Sequence, residues 1–184
     1  MKKYTKIVQY PDPVLKKVSS EVKTIDNDIK NLLKDLRKLA RLHSKDGITL
    51  VGLSGPQVGV NTRVFVYYDL QKRDYIDVIN PVIIYESKEK TGEWEGCASI
   101  GVGPASLFGP VKRPRSVQIR YLNPEGEEVI VPATNYQSHI LLHEVDHLDG
   151  ILFLDRVEDP GMIMTARDMD EYARTHNGEH PEII

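Results

Sequence analysis

The stretch His143-Glu144-Val145-Asp146-His147-Leu148-Asp149-Gly150 decides how the chain is read. Residues four apart stand above one another on a helix face, so His143 and His147 can aim imidazole nitrogens at a single divalent ion. Glu144 lies about 100° further round, within reach of a water beside that ion rather than of the ion itself. Ile140, Leu141, Val145 and Leu148 add an apolar stripe, and Gly150 stands where a left-handed terminal residue is wanted, so the spacing predicts a helix over 137–149. A plainer role also fits two such histidines, hydrogen-bonded inside a core, and the pattern alone leaves both readings open.

Outward from that helix, 184 residues suffice for a single domain over 1–184 with a peripheral tail from 158, burying about 70% of its unfolded surface without disulfides. A net charge of −3 and a pI near 6.1 argue against direct nucleic-acid binding through bulk charge. No apolar run reaches the length of a membrane span, and Met1 to Lys6 lacks the apolar stretch of a secretory signal. A cytoplasmic protein without membrane contact is expected, its single cysteine reduced and free to bind metal.

Ile25, Ile29, Leu32, Leu33, Leu36, Leu39 and Ala40 recur at helical spacing, with Asp26 or Asn27 as N-cap and Gly47 beyond the end, and predict an N-terminal helix. Residues 63–68, 78–85, 116–122 and 127–131 are rich in β-branched and aromatic side chains and predict strands. Asn123-Pro124-Glu125-Gly126 turns the last two into a hairpin. Residues 48–60 are small enough to let backbone approach a neighbour or ligand, and read most simply as a strand and turn with an exposed Gln57. Residues 94–100, followed by 101–110, read as a long irregular loop. The order predicts an α+β fold, largely antiparallel sheets packed around the central His-Glu-x-x-His helix, with an N-terminal helix.

A catalytic metal site needs three protein donors and an open position. Cys97 is the one thiol in the chain. His139 continues the four-residue spacing but stands roughly 12 Å along the helix from His147, too far to share an ion at bond lengths near 2 Å, and is expected to be a neighbour of the site. His43, His176 and His180 fall at helix ends or in the tail and are expected to be solvated.

Three stretches together, Gly52-Leu53-Ser54-Gly55-Pro56-Gln57, Glu95-Gly96-Cys97-Ala98-Ser99 and His143 to Gly150, resemble the peptide deformylases. Tyr10-Pro11-Asp12, Ile79-Asn80-Pro81 and Ile151-Leu152-Phe153-Leu154-Asp155 are similar to that family as well, so the likeness covers residues 7–157. The resemblance implies that Cys97, His143 and His147 bind one divalent metal ion, iron(II) physiologically, with zinc, nickel or cobalt as alternatives. It implies Glu144 as general base and acid, Gln57 with the Ala98 backbone N–H as the oxyanion site, and Val51 and Gly52 beside the substrate. The implied reaction takes the formyl group from N-formylated nascent peptides, leaving formate and a free N-terminal methionine. It also pairs Asp146 with an arginine, here Arg113, to steady the metal helix.

The chemistry of the residues agrees with these roles. A thiolate and two neutral imidazoles leave a divalent ion a local charge of about +1, enough to acidify water and polarise a carbonyl. Donors at Gln57 and Ala98 are worth about 3 kcal/mol of barrier when they face a developing oxyanion. Tyr136, His139 and Ile140 precede His143 by seven, four and three residues, so they are expected to line the pocket for the methionine side chain, with two polar tips weakening its preference for methionine.

Leu50 stands where the family has glycine, Ser54-Gly55 where it has two alanines, Ala98 where it has leucine and Leu142 where it has glutamine. The span from Cys97 to Arg113 is also longer than usual. These departures bear on substrate preference more than on chemistry, since Ala98 keeps its backbone donor. Two other readings stay open: a deformylase-like metal-binding protein of weak or altered activity, and a metallopeptidase, which needs a third ligand beyond Gly150, where only Glu158, His176 and the tail stand. From Arg156 onward there are three basic and seven acidic side chains. A short helix is predicted over 162–174. Some deformylases dock on the ribosome through a basic C-terminal helix; this acidic one is expected to allow transient proximity at most.

Overall fold

The structure, a computed structural model, describes residues 4–43, 50–179, 181 and 183. The expectations placed on Gly47, Ile48, Thr49 and His180 lie outside the described residues. Asp26 opens the first helix: its Oδ1 accepts from the N–H groups of Asp28 and Ile29 at 3.0 Å each, and α1 runs Asn27–His43. Then come β1 (Gly52–Ser54), β2 (Val64–Asp69), β3 (Asp74–Glu86), β4 (Lys90–Gly96), β5 (Leu107–Pro114), β6 (Ser116–Leu122) and β7 (Glu128–Thr134). Helix α2 (Tyr136–Leu148), β8 (Met164–Thr165) and α3 (Ala166–Thr175) complete the order. The strands form a five-stranded sheet, β1-β2-β3-β6-β7, and a three-stranded sheet, β4-β5-β8, with antiparallel ladders throughout.

Strand alternation places the helices. In β2, Val64 and Val66 face Leu32, Leu33, Leu36 and Leu39 of α1, while Phe65 and Tyr67 face Ile140, Leu141 and Leu148 of α2. Both faces of β2 are therefore covered, which explains why its sequence is a continuous apolar run. On its other side α2 meets the smaller sheet, where Val111 of β5 and Cys97, just past β4, pack with Leu15, Leu152 and Phe153. Cover on both sides buries polar residues of α2 too: Ser138, His139, Glu144, Asp146 and His147 are at most 6% exposed.

The loop expected over 94–110 is confined to 97–106, with one 3-10 turn at Gly103–Ala105, because its two ends are strands. Here β4 and β5 pair residue by residue, from Lys90 opposite Pro114 to Gly96 opposite Phe108. Gly92, Gly96, Gly109 and Pro110 interrupt the side-chain alternation that would have announced two strands, and backbone pairing with a distant segment supplies what local propensity lacks. Strand β3 begins at Asp74, and β7 continues through Pro132 to Thr134, which its place at the sheet edge tolerates. The C-terminal helix starts at Ala166, because Thr165 and Asp168 cap it reciprocally at 3.2 and 3.3 Å. No helix among the described residues is long and apolar enough to cross a membrane.

The end of α2 is fixed by Gly150, at φ 73°. The Gly150 N–H donates to the His147 carbonyl (3.3 Å) and the Ile151 N–H to the Asp146 carbonyl (2.9 Å), closing the helix over two of the residues that matter most. A Cβ on Gly150 would stand 2.7 Å from the Lys16 carbonyl oxygen. Gly150→Ala is therefore expected to lower stability by about 1–2 kcal/mol from the left-handed backbone alone, and further through that contact. A urea midpoint equal to that of the wild type would contradict this.

Candidate metal centre

Strand β4 hands the chain directly to Cys97, and α2 brings His143 and His147 to meet it. Cys97 Sγ lies 3.2 Å from His147 Nε2, and one donor atom from each of Cys97, His143 and His147 falls within 4.8 Å of the others. The two imidazoles stand edge to face, 4.9 Å between ring centres. This is the only such His/Cys/Asp/Glu group found among the described residues. His139, one turn earlier, is not part of it.

Behind these donors lies a buried carboxylate. Glu95 Oε1 accepts from Arg113 Nε (2.6 Å) and His139 Nδ1 (3.2 Å); Oε2 accepts from Arg113 Nη2 (2.9 Å) and His143 Nδ1 (2.9 Å). Burial works against its charge, yet Arg113 and the two histidines outweigh burial and hold the Glu95 pKa far below the carboxylate range. An ionised carboxylate only accepts, so His143 carries its hydrogen on Nδ1 and turns the lone pair of Nε2 outward. Arg113 Nη1 continues to Asp146 Oδ2 at 2.7 Å, and Arg156 meets the same carboxylate at 2.6 and 3.1 Å. The expected Arg113–Asp146 contact is thus one segment of a longer chain of charges.

The donor set fits a divalent ion. A thiol sulfur and two imidazoles converge from two separate elements, and burial keeps the His147 pKa well below the usual range, leaving its ring neutral. His143 is pushed the other way: burial opposes the shift, but Cys97 and Glu95 beside it raise its pKa. Groups that favour a proton on that ring equally favour a cation in its place.

One cavity brings the other predicted residues to this centre. Val51, Gly52, Gln57, Cys97, Ala98, Tyr136, His139, Ile140, His143 and Glu144 line it, with Leu50 and residues 94–96. Gln57 is buried rather than exposed, at 1%. Its Oε1 accepts from the Ser54 N–H (2.9 Å) and hydroxyl (3.0 Å), which turns its NH2 toward Cys97 Sγ and Ser99 Oγ, each 3.4 Å away. Ser54, a departure from the family pattern, thus orients Gln57. The Ala98 carbonyl accepts from Gln9 Nε2 at 2.8 Å. Glu144 is 3% exposed, and its Oε2 has no hydrogen-bond partner. Burial, with Glu95 adding to it, raises the Glu144 pKa to about 7. A Cβ on Gly52 would fall 2.1 Å from Glu144 Oε1, so only glycine admits that carboxylate.

Both nitrogens of His139 face protein atoms: Nδ1 meets Glu95, and Nε2 lies 3.1 Å from both the hydroxyl and the carbonyl of Thr91. Its polar tips are therefore not offered to the cavity, which removes one of the two reasons for expecting a weak methionine preference.

The profile of the family described as Polypeptide deformylase matches residues 4–162. The chain belongs to the peptide deformylase family. It is 41% identical to the peptide deformylase of Pseudothermotoga lettingae over 146 residues, covering 79% of this chain and 78% of that one. Against the peptide deformylase of Natranaerobius thermophilus it is 39% identical over 154 residues, 84% of this chain and 92% of the other. The crystal structure of peptide deformylase from Thermotoga maritima superposes with a TM-score of 0.76 at 30% identity, covering 86% of this chain and all of that one. A Met-Ala-Ser-bound peptide deformylase from Acinetobacter baumannii superposes at 0.73 with 26% identity, again over its whole length and 85% of this chain. Like its relatives in the peptide deformylase family, the chain is a hydrolase of protein biosynthesis.

Sequence reasoning gave no role to Glu95, although it lies two residues before Cys97, where strand alternation sends both side chains to one face. Reading this stretch as a loop hid that signal. Ser54, Gln9 and Arg156 were also missed as supports of Gln57, Ala98 and Asp146. Glu95→Gln keeps the shape but leaves Arg113 with Asp146 as its one carboxylate partner, which should cost about 2–3 kcal/mol at neutral pH. Because the partners depress the Glu95 pKa below its ordinary 4.5, this stabilisation is complete above about pH 4.5 and declines as the pH falls further. Urea denaturation should show the gap between wild type and variant narrowing in acid; a gap independent of pH would contradict the assignment.

Proposed function

We propose that the chain removes the N-formyl group from the N-terminal formyl-methionine of nascent peptides, releasing formate. The observation that carries the reading is that the Cys97, His143 and His147 cluster opens, through Cys97 and His143, on a cavity that the Glu144 carboxylate and the Gln57 amide also line. Cys97, His143 and His147 would hold the divalent ion, which would supply Lewis-acid polarisation of the formyl carbonyl and a more acidic water. The thiolate–imidazole donor set suits iron(II), zinc, nickel or cobalt, and the family resemblance favours iron(II) as the physiological ion.

The remaining work falls to side chains. Glu144, poised near neutrality, takes a proton from the attacking water as the new C–O bond forms at the formyl carbon. It returns that proton to the nitrogen as the C–N bond breaks, so formate and a free amine leave. The Gln57 NH2, with its oxygen anchored on Ser54, and the Ala98 N–H donate to the carbonyl oxygen as it becomes negative.

The cavity also suits a peptide. Its walls include Gly52 of β1 and residues 94–96 of β4, each strand standing at the end of its sheet. An extended substrate lying between two terminal strands pairs with them main chain to main chain, which accepts any sequence beyond the first residue. Tyr136 and Ile140 then flank its first side chain. The product-like Met-Ala-Ser bound by the Acinetobacter baumannii enzyme has this chemistry.

A cytoplasmic location, as a single catalytic domain, belongs to the same proposal. So does the absence of ribosome docking through the C-terminal segment: α3 carries Asp168, Asp170 and Glu171 against Arg167 and Arg174, a poor surface for RNA phosphates.

Protein loaded with iron(II) under anaerobic conditions should release formate from formyl-Met-Ala-Ser. Glu144→Ala should lower kcat by about 10²- to 10⁴-fold while keeping its metal content. Loaded wild type that leaves the formyl group in place, or cleaves an internal peptide bond instead, would sink the reading.

A further inference from the structure

We propose that His139 is a positioning residue of the metal centre, acting through Glu95, rather than a residue that recognises the substrate. The inference rests on Cys97, His143 and His147 being the metal ligands.

His139 is 2% exposed, yet it is bonded at both ring nitrogens. Each Glu95 oxygen accepts one N–H from Arg113 and one from an imidazole, His139 on Oε1 and His143 on Oε2. The two histidines stand one turn apart on α2, so together they fix where β4 sits along the helix. Because Glu95 can only accept, the hydrogen of His139 is on Nδ1, and the Thr91 hydroxyl is the group able to donate to Nε2. Thr91 and Glu95 lie on the same face of β4 by strand alternation, so the ladder runs Thr91, His139, Glu95, His143, crossing three times between strand and helix. Cys97 is the next residue on that face. Register between β4 and α2 is the distance between the sulfur donor and the two nitrogen donors, and Arg113, bonded to Glu95 from β5, does not fix it alone.

Loss of the His139 rung leaves Oε1 with Arg113 Nε as its one donor and His143 as the one helix residue bonded to Glu95, so the carboxylate can shift relative to α2. His143 then loses orientation without losing its partner. His139→Leu keeps an apolar side chain of similar bulk and deletes both bonds. His139→Asn keeps an N–H donor near the Nδ1 position, and Thr91→Val removes only the hydroxyl.

The test is zinc or cobalt affinity by chelator competition, followed by steady-state kinetics on formyl-Met-Ala-Ser and formyl-Ala-Ala-Ser. His139→Leu should weaken metal affinity by about tenfold, Thr91→Val should weaken it less, and His139→Asn should restore most of it. At saturating metal, kcat/KM for the two peptides should change by the same factor, so that their ranking is kept. Unchanged metal affinity in His139→Leu, or a changed peptide ranking at saturating metal, would overturn the proposal. Wild type that binds no ion would overturn the metal reading, and this proposal with it.

Discussion

The buried carboxylate of Glu95 holds the centre together. Four N–H groups converge on its two oxygens from β5 and α2, and the side chain itself comes from β4. An ion taken this far from water is stable only when its hydrogen-bonding capacity is filled, and here it is filled by the elements that must meet for the site to exist. The same carboxylate sets the tautomer of His143. Fold and chemistry therefore depend on one group, and the charge continues through Arg113 to Asp146 and Arg156.

The architecture serves this arrangement. A helix with a sheet on each side can bury donors on more than one face, which a helix lying on a single sheet cannot do. Helix α2 spends that opportunity on His143 and Glu144 toward the cavity, on His147 toward Cys97 and on Asp146 toward Arg113 and Arg156. Its end is locked by Gly150, so the last turn holding His147 does not fray. Opposite, Gly52 gives Glu144 the space that any other residue would fill. The effect is a carboxylate that is desolvated, poised near neutral pH and confined to one side of the cavity.

Much of this was legible in the sequence, for identifiable reasons. Helix α1 and β6 carry periodic apolar patterns because one face of each is covered, and β2 a continuous apolar run because both of its faces are. The spacing of His143 and His147 and the solitary Cys97 are properties of single residues, readable without a fold. The β4–β5 pair was hidden because glycine and proline serve close backbone approach there, and the ladder joining the two strands is a non-local property. The role of Glu95 disappeared with that strand. His139 was read on helix geometry as a neighbour of the site and a pocket residue, but what its nitrogens touch depends on Thr91 and Glu95, 48 and 44 residues away. Likewise the meaning of Ser54 lies in its bonds to Gln57, which no spacing announces.

X-ray absorption at the zinc edge of zinc-loaded protein tests the central claim most directly. One sulfur at about 2.3 Å and two imidazole nitrogens at about 2.0–2.1 Å, with one further light atom, are what Cys97, His143 and His147 require. A first shell of nitrogen and oxygen without sulfur would show that β4 and α2 do not meet around the ion, and would contradict the account.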